Sequence, residues 1–276
     1  MDTSLFSRFA PLLRDMTDAE LAAECERPQR LLLGGVMAGR KRIEIAYFPV
    51  GQVNVDAHIV IVGLTPGRQQ MRNALIEARR CLRAGRSEAD TLAAVKVYAS
   101  FSGPMRANLV AMLDSIGVNR LLNLQTTASL WEGDVRLVHF TSALRFPVFV
   151  DGENYSGTPS MFTTPLLREQ LMTGFAAQAA TLRQAIFVPL GPTVGRAVEF
   201  AAEKSRLDHN RVLVGLPHPS GANAERIAFF LGRKAQHALS AKVRPERLIA
   251  ARAELKAKIA KLGPEHAECR GPVAGV

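Results

Sequence analysis

Short apolar runs and alternating segments along the chain predict its β-strands. His58–Val62 is rich in β-branched residues and Ala185–Leu190 is apolar throughout, which is typical of strands buried on both faces. Polar and apolar residues alternate in Arg42–Phe48 and in Arg136–Ala143, and Arg211–Gly215 is a last short apolar run. We therefore predict an edge strand at Arg42–Phe48 and central strands in the other four segments.

Helix-forming segments separate these strands. The first forty residues are predicted to be helical, and residues 146–165 are predicted to be a long loop because they contain three prolines and two glycines. The further predicted helices are Gln69–Ala84, Thr91–Tyr98, Ala107–Ile116, Leu166–Arg183, residues 191–202, Ala222–Leu239 and Pro245–Leu262.

The alternation of strands and helices predicts an α/β fold. We expect a three-layer αβα sandwich with a mostly parallel central sheet of about four strands. One domain should span residues 1–240, with a basic C-terminal helix and a frayed tail at residues 241–276 packed on it. Ligands of such sheets bind beyond the carboxyl ends of the strands. The residues that directly follow each strand are therefore the first candidates for a site.

Composition is that of an ordinary globular protein. The 276 residues are 47% hydrophobic and 22% charged, and no apolar run approaches the ~18 residues of a membrane span. Cys25, Cys81 and Cys269 lack C-x-x-C spacing and are too few to hold an iron–sulfur cluster by themselves. We expect no metal, no cofactor and no membrane association. The N-terminus lacks the layout of a secretory leader, which favours a reducing cytoplasmic location.

Positive charge is in excess and unevenly distributed. The chain has 35 Lys and Arg against 25 Asp and Glu, a net charge of +10, and residues 226–261 alone hold ten of the cations against two glutamates. Such an excess favours a polyanionic partner, most simply nucleic acid. The alternative is a solvated basic helix that keeps the protein in solution, and charge alone leaves the two interpretations about equal.

Four strand-end or turn segments contain candidate chemistry. In Gly63-Leu64-Thr65-Pro66-Gly67, glycines and a proline expose backbone N–H groups that could hold an oxyanion, unless this is a plain βα turn. In His218-Pro219-Ser220-Gly221, a histidine between prolines has a stiff backbone and could donate to an anion, unless it is structural. Ser142 ends a strand, and Phe101 precedes a helix as either a stacking platform or a core residue.

Together these segments resemble the uracil-DNA glycosylase superfamily. Gly63–Gly67 resembles its first active-site motif, and His218–Gly221 resembles its last. Phe101–Gly103 follows the spacing of the bacterial and archaeal iron–sulfur type. The further matching positions are Leu109, Leu113, Gly117 and Phe187–Thr193. The resemblance runs in order from about residue 57 to residue 232.

The resemblance implies a DNA-repair enzyme that flips uracil, or another deaminated base, out of DNA and hydrolyses its N-glycosidic bond to leave an abasic site. His218 and the Leu64 N–H would stabilise the leaving anion, and Thr65 would position water. The other implied substrate contacts are Gly63, Gln69, Phe101 and Ser142. The implied DNA contacts are Arg68, Arg106, Ser220, Gly221, Ala222, Asn223 and Arg226. We expect a monomer that acts near the nucleoid on DNA with uracil or abasic sites.

The chain departs from that superfamily at three points. Thr65 stands where an acid or amide is common and Leu64 where the iron–sulfur type has Glu, and a threonine hydroxyl is not an anionic base near neutral pH. Ser142 replaces an asparagine that reads the base edge, for which Asn154 or Tyr155 could compensate. The cluster cysteines are also missing, so no cluster is expected.

Two other functions stay open. A catalytically weak or inactive binder of uracil or abasic sites is favoured by the Thr65 and Ser142 departures. A hydrolase or nucleotide-binding enzyme of another class is the second, although the chain has no GxSxG elbow, P-loop, HExxH or complete GxGxxG sequence.

Overall fold

The computed structural model describes residues 4–49, 51, 53–99, 104–205 and 207–268 and has a mixed α/β architecture. Its α-helices are α1 (Ser4–Asp15), α2 (Asp18–Glu26), α3 (Arg68–Arg83), α4 (Glu88–Ala99), α5 (Pro104–Ile116), α6 (Val118–Leu121), α7 (Pro165–Gln170), α8 (Ala177–Thr181), α9 (Pro192–Ser205), α10 (Ala224–Phe230) and α11 (Pro245–Glu268). Its strands are β1 (Leu32–Ala38), β2 (Lys41–Ala46), β3 (Ile59–Gly63), β4 (Val138–Ser142), β5 (Val148–Val150), β6 (Glu153–Asn154) and β7 (Ile186–Pro189). Among the helices of these ranges, none is long and apolar enough to cross a membrane.

A parallel sheet contains three strands in the order β4-β3-β7. β3 and β7 run in parallel register from the Ile59–Ile186 pair onward, and the residues of β3 are buried. Beyond β7, Val212 forms an isolated parallel bridge with Phe187. The predicted strands at residues 58–62, 136–143 and 185–190 are therefore confirmed as β3, β4 and β7.

The last predicted strand, Arg211–Gly215, contributes a bridge rather than a strand. Gly215 has a φ of +125°, which turns the backbone away from an extended path, and Pro217 has no N–H to pair with a neighbour. The parallel sheet consequently has three strands in the described part of the chain, not the predicted four or so. The mixed α/β class itself is confirmed.

An antiparallel sheet, in the order β1-β2-β5-β6, corrects two predictions. The first forty residues are not all helical, because β1 contains two adjacent glycines, which disfavour a helix, and Gly39 at φ +63° closes a hairpin to β2. Residues 146–165 are not all loop, because β5 and β6 form a hairpin around Asp151 and Gly152, both at positive φ. The strand predicted at Arg42–Phe48 is confirmed as β2, but its predicted edge position is wrong, because β2 lies between β1 and β5.

The chain divides into two compact units. Unit 1 comprises the described residues within Met1–Val55, Gly63–Phe101 and Phe140–Thr181, and unit 2 comprises those within Asp56–Val62, Ser102–His139 and Leu182–Val276. The division places the predicted site residues of the Gly63–Gly67 motif in unit 1 and those around His218 in unit 2. The domain boundary predicted at residue 240 stays a prediction.

Unit 1 has its core between α1, α3 and the antiparallel sheet. Phe6, Phe9 and Leu13 of α1 form one buried cluster with Met71 and other apolar residues of α3. The Phe9 ring also stacks on that of Tyr47, which directly follows β2, with 4.1 Å between ring centroids. This cluster packs against α3, the helix that directly follows the Gly63–Gly67 motif.

In unit 2, α11 packs closely on the segment that leads to His218. A Cβ atom added at Gly215 would lie 2.9 Å from the Cβ of Ala251 in α11, so only glycine permits this approach. Leu255 and Ile259 of the same helix are buried, and the Lys258 ammonium donates to the Val212 carbonyl at 3.1 Å. The basic C-terminal helix is therefore built into unit 2.

We predict that Gly215→Ala lowers the free energy of unfolding by about 2–4 kcal/mol, because the new methyl group meets Ala251 while the backbone keeps a strained positive φ. Gly133→Ala is the matched control, since Gly133 is exposed and nothing lies within 4 Å of its added Cβ. It should change stability by no more than about 0.5 kcal/mol. Urea denaturation measures both values, and equal effects of the two substitutions would contradict the packing described for α11.

Candidate functional site

The His218 loop of unit 2 is fixed from two sides. The side-chain amide of Asn108 in α5 donates to the Pro219 carbonyl at 3.0 Å. On the other side, Gly191 has a φ of +91°, and a Cβ atom there would lie 3.4 Å from the Cβ of His218. The turn that begins α9 thus lies directly against the histidine. Because the backbone is held by α5 and by this turn, the His218 side chain has a defined place.

A hydrogen bond sets the protonation of His218. The Ser220 backbone N–H donates to Nδ1 of His218 at 3.3 Å, so Nδ1 acts as an acceptor and the proton of the neutral imidazole is on Nε2. Burial lowers the pKa of His218 from its ordinary value of 6.5. At neutral pH the side chain therefore offers an uncharged Nε2–H donor.

His218 lines a pocket of about 620 Å³, which we call the His218 pocket. Its apolar walls include Pro192, Leu216, Leu248 and Ala251. Its positively charged lining residues are Arg226, Lys242, Arg244 and Arg247. No carboxylate of the described residues lines it. A pocket with apolar walls and several cations suits a ligand that combines a nonpolar part with negative charge.

The residues after His218 form a short exposed turn. Ser220 precedes a 3₁₀ turn at Gly221–Asn223, and its carbonyl accepts the Asn223 N–H at 2.9 Å. Gly221 and Ala222 are exposed at the tip. The Arg226 guanidinium donates to Oδ1 of Asn223 at 3.1 Å and to the Lys242 carbonyl at 2.9 Å. Arg226 thereby ties the tip to the segment that leads into α11.

Arg106 lies elsewhere in unit 2. It is a half-buried residue of α5, and its guanidinium carbon is 5.5 Å from the centroid of the buried Trp131 ring. It does not line the His218 pocket. The predicted DNA contact of Arg106 therefore stays a separate prediction.

In unit 1, the first motif joins the ends of two strands. The Gly63 and Leu64 carbonyls accept the N–H groups of Ala143 and Leu144 at 2.8 and 2.9 Å, which continues the pairing past the ends of β3 and β4. The predicted substrate contact Ser142 is the last residue of β4 and is buried. Phe101 lies outside the described residues.

Thr65 has a structural role. Its hydroxyl donates to the Phe146 carbonyl at 2.8 Å and accepts the Val148 N–H at 3.2 Å. These bonds fix the loop after β3 against the start of β5. The hydroxyl proton is therefore used within the protein, and Thr65 has no proton to donate in a catalytic role.

Arg68 also has a role different from the predicted one. Its guanidinium donates to the carbonyls of Cys25, Glu26 and Gly152 and lies 4.9 Å from the centroid of the Phe149 ring. These bonds cross-link three segments of unit 1 and use donors that a phosphate would need. Arg68 thus has a structural role in unit 1, and its predicted DNA contact stays a prediction.

Two other residues of unit 1 have local partners. The Asn154 side chain accepts the Arg68 N–H at 2.9 Å and so caps the start of α3, rather than compensating for Ser142. Gln69 is exposed on α3 and donates to the side chain of Asn73, one turn later, at 2.8 Å. Neither contact supplies an ionisable group.

Comparison with known proteins places the chain in a family. It is 35% identical to the uncharacterized protein YoxB of Bacillus subtilis (strain 168) over 196 residues, which cover 70% of this chain and 76% of YoxB. The chain belongs to the YoxB family. No protein family model matches the chain, and no solved structure matches it. The similarity to YoxB does not indicate an activity for this chain, because YoxB itself is uncharacterized.

In this member of the YoxB family, unit 2 brings together His218, Ser220, Asn223 and Arg226, whose roles stay predictions. It adds three cations that the sequence did not single out, which are Lys242, Arg244 and Arg247. The only signal for them was the basic composition of residues 226–261. Within the described part of the chain, no three His, Cys, Asp or Glu side chains form a group that could hold a metal ion.

We predict that Thr65→Val lowers the free energy of unfolding by about 1–3 kcal/mol, because it leaves the Val148 N–H and the Phe146 carbonyl without their partner. Thr65→Ser keeps the hydroxyl and should cost clearly less. Chemical denaturation of both variants measures the difference. Equal losses for valine and serine would argue against the structural role of the hydroxyl.

Proposed function

We propose that the protein is a uracil-DNA glycosylase, a repair enzyme that hydrolyses the N-glycosidic bond of uracil in DNA and leaves an abasic site. The proposal is supported above all by His218, whose Nδ1 accepts the Ser220 N–H and whose Nε2–H is left to donate beside a basic pocket. The resemblance of residues 57–232 to that superfamily supplies the reaction, and the net charge of +10 suits DNA as the partner.

In the proposed reaction, the bond between uracil N1 and the sugar C1′ breaks, and its electron pair leaves with the base. The developing charge on uracil O2 accepts a hydrogen bond from Nε2–H of His218. Water then bonds to C1′ through its oxygen and releases a proton to solvent. A donor that is already in place and uncharged stabilises the anion without a change of its own protonation.

We also propose a layer arrangement, an oligomeric state and a cellular location for the protein. We infer a three-layer αβα arrangement around the parallel sheet, since β3 and β7 are buried throughout, as strands covered on both faces are. Gly63, Gln69 and Ser142 stay proposed substrate contacts of unit 1, and Ser220, Gly221, Ala222, Asn223 and Arg226 stay proposed DNA contacts of unit 2. The protein would act as a monomer in the cytoplasm, beside the nucleoid.

The second candidate is a catalytically weak or inactive binder of uracil or abasic sites. It is favoured by the contacts of Thr65, whose hydroxyl is used by Phe146 and Val148, and by those of Gln69, which pairs with Asn73. Neither side chain can serve as an anionic base. Under this alternative the same loop holds the lesion, and turnover is absent.

The test uses a labelled oligonucleotide with a single uracil, treated with alkali after incubation. We expect strand breakage at the uracil and none in a thymine control. His218→Ala should slow base release by about 10²–10³-fold, because it removes a preorganised donor. His209→Ala is the matched control, since His209 is exposed in unit 2 and does not line the pocket, and it should behave like the unaltered protein.

Each result has a defined meaning. Breakage that persists unchanged in His218→Ala would contradict the role given to His218. No breakage together with tight retention of abasic DNA would support the binder. If the protein neither breaks the strand nor retains abasic DNA, both candidates are refuted.

A further inference from the structure

Three cations of the His218 pocket have no part in holding the protein together. Lys242, Arg244 and Arg247 are exposed, and none of them takes part in a side-chain hydrogen bond or an ion pair within the described ranges. Exposed cations that line the same pocket repel one another, and bound negative charge would relieve that repulsion. The three side chains are therefore available to a negatively charged ligand.

Their position is fixed by buried neighbours. Val243, which lies between Lys242 and Arg244, is buried, and the Arg226 guanidinium holds the Lys242 carbonyl at 2.9 Å. One to two turns further along α11, Ala251 packs on Gly215 and Leu255 is fully buried. The backbone beneath the three cations is thus anchored to the segment that leads into His218.

Nearby carboxylates are engaged elsewhere or do not reach the pocket. Glu225 accepts bonds from Lys234 and Ser240, which lower its pKa to about 2. Glu254 pairs with Lys258 at 3.6 Å, one turn along α11. The remaining acid of the segment, Glu246, does not line the pocket. Among the described residues, none of these three carboxylates consequently neutralises the positive charge that lines the pocket.

The size and walls of the pocket suit part of a nucleotide chain. Its volume of about 620 Å³ exceeds what a lone inorganic anion needs. Pro192, Leu216 and Leu248 provide apolar surface on which a sugar could lie, while the cations would face phosphate oxygens. This combination matches a strand that presents sugars and phosphates alternately.

We propose that Lys242, Arg244 and Arg247 form a subsite for the backbone phosphates of a DNA strand, next to the nucleotide held at His218. The inference rests on the proposed function for the identity of the strand. The subsite lies in residues 242–247, beyond the stretch that resembles the glycosylases, and it gives the C-terminal helix a binding role in addition to its packing.

The test measures the affinity for a fluorescent oligonucleotide that contains thymine and no uracil, so that catalysis plays no part. The double variant Arg244→Gln, Arg247→Gln should bind about 10-fold or more weakly at moderate salt. The slope of log affinity against log salt should fall by about 0.7–0.9 for each phosphate that the variant no longer binds. The matched control is Lys256→Gln, Lys261→Gln, which removes the same charge from exposed positions of α11 outside the pocket. It should weaken binding less than about 3-fold.

Equal losses of affinity in the two double variants would overturn the subsite, because they would show an effect of overall charge alone. Competition by a deoxymononucleotide as strong as that by the unlabelled oligonucleotide would also overturn it, in favour of a free nucleotide ligand.

Base release by the unaltered protein is assayed separately. If base release is absent but only the pocket variant loses affinity, the subsite stands and the proposed activity fails. If base release is present and the pocket variant binds normally, the subsite alone fails.

Discussion

The hydrogen bond from the Ser220 backbone N–H to Nδ1 of His218 determines what the site in unit 2 can do. It selects the imidazole tautomer that carries its proton on Nε2, and burial favours the uncharged form. Without that bond either nitrogen could hold the proton, and the side chain would be as ready to accept as to donate. The contacts of Asn108 with Pro219, and of Gly191 with His218, keep the bond in place.

Close packing connects this loop to the C-terminal helix. Gly215 allows α11 to approach the segment that leads to His218, and the same approach brings the cations before and at the start of that helix into the pocket. The fold therefore places a neutral donor and a cluster of cations around one pocket. Leaving-group stabilisation and phosphate binding are the two functions that we propose for this arrangement.

The sequence predicted the parallel strands well and the side-chain partners poorly. β3 and β7 are predictable because each is a run of β-branched or apolar residues. The sequence pattern did not predict β1, because its glycines resemble a break between helices. The Asp151-Gly152 pair was a usable hairpin signal within the predicted loop. The partners of Thr65 and Arg68 lie about 40 to 85 residues away along the chain, so no local pattern could reveal that both are structural. The approach of Ala251 to Gly215 is equally non-local.

The protonation state of His218 is the most direct measurement of the central claim. Long-range proton–nitrogen correlation spectra of the protein with ¹⁵N-labelled histidine report it, with His218→Gln to assign the signals. We expect a neutral ring at neutral pH with its proton on Nε2, and a titration midpoint below 6.5. A proton on Nδ1, or a charged imidazolium at neutral pH, would contradict the donor role on which the proposed chemistry depends.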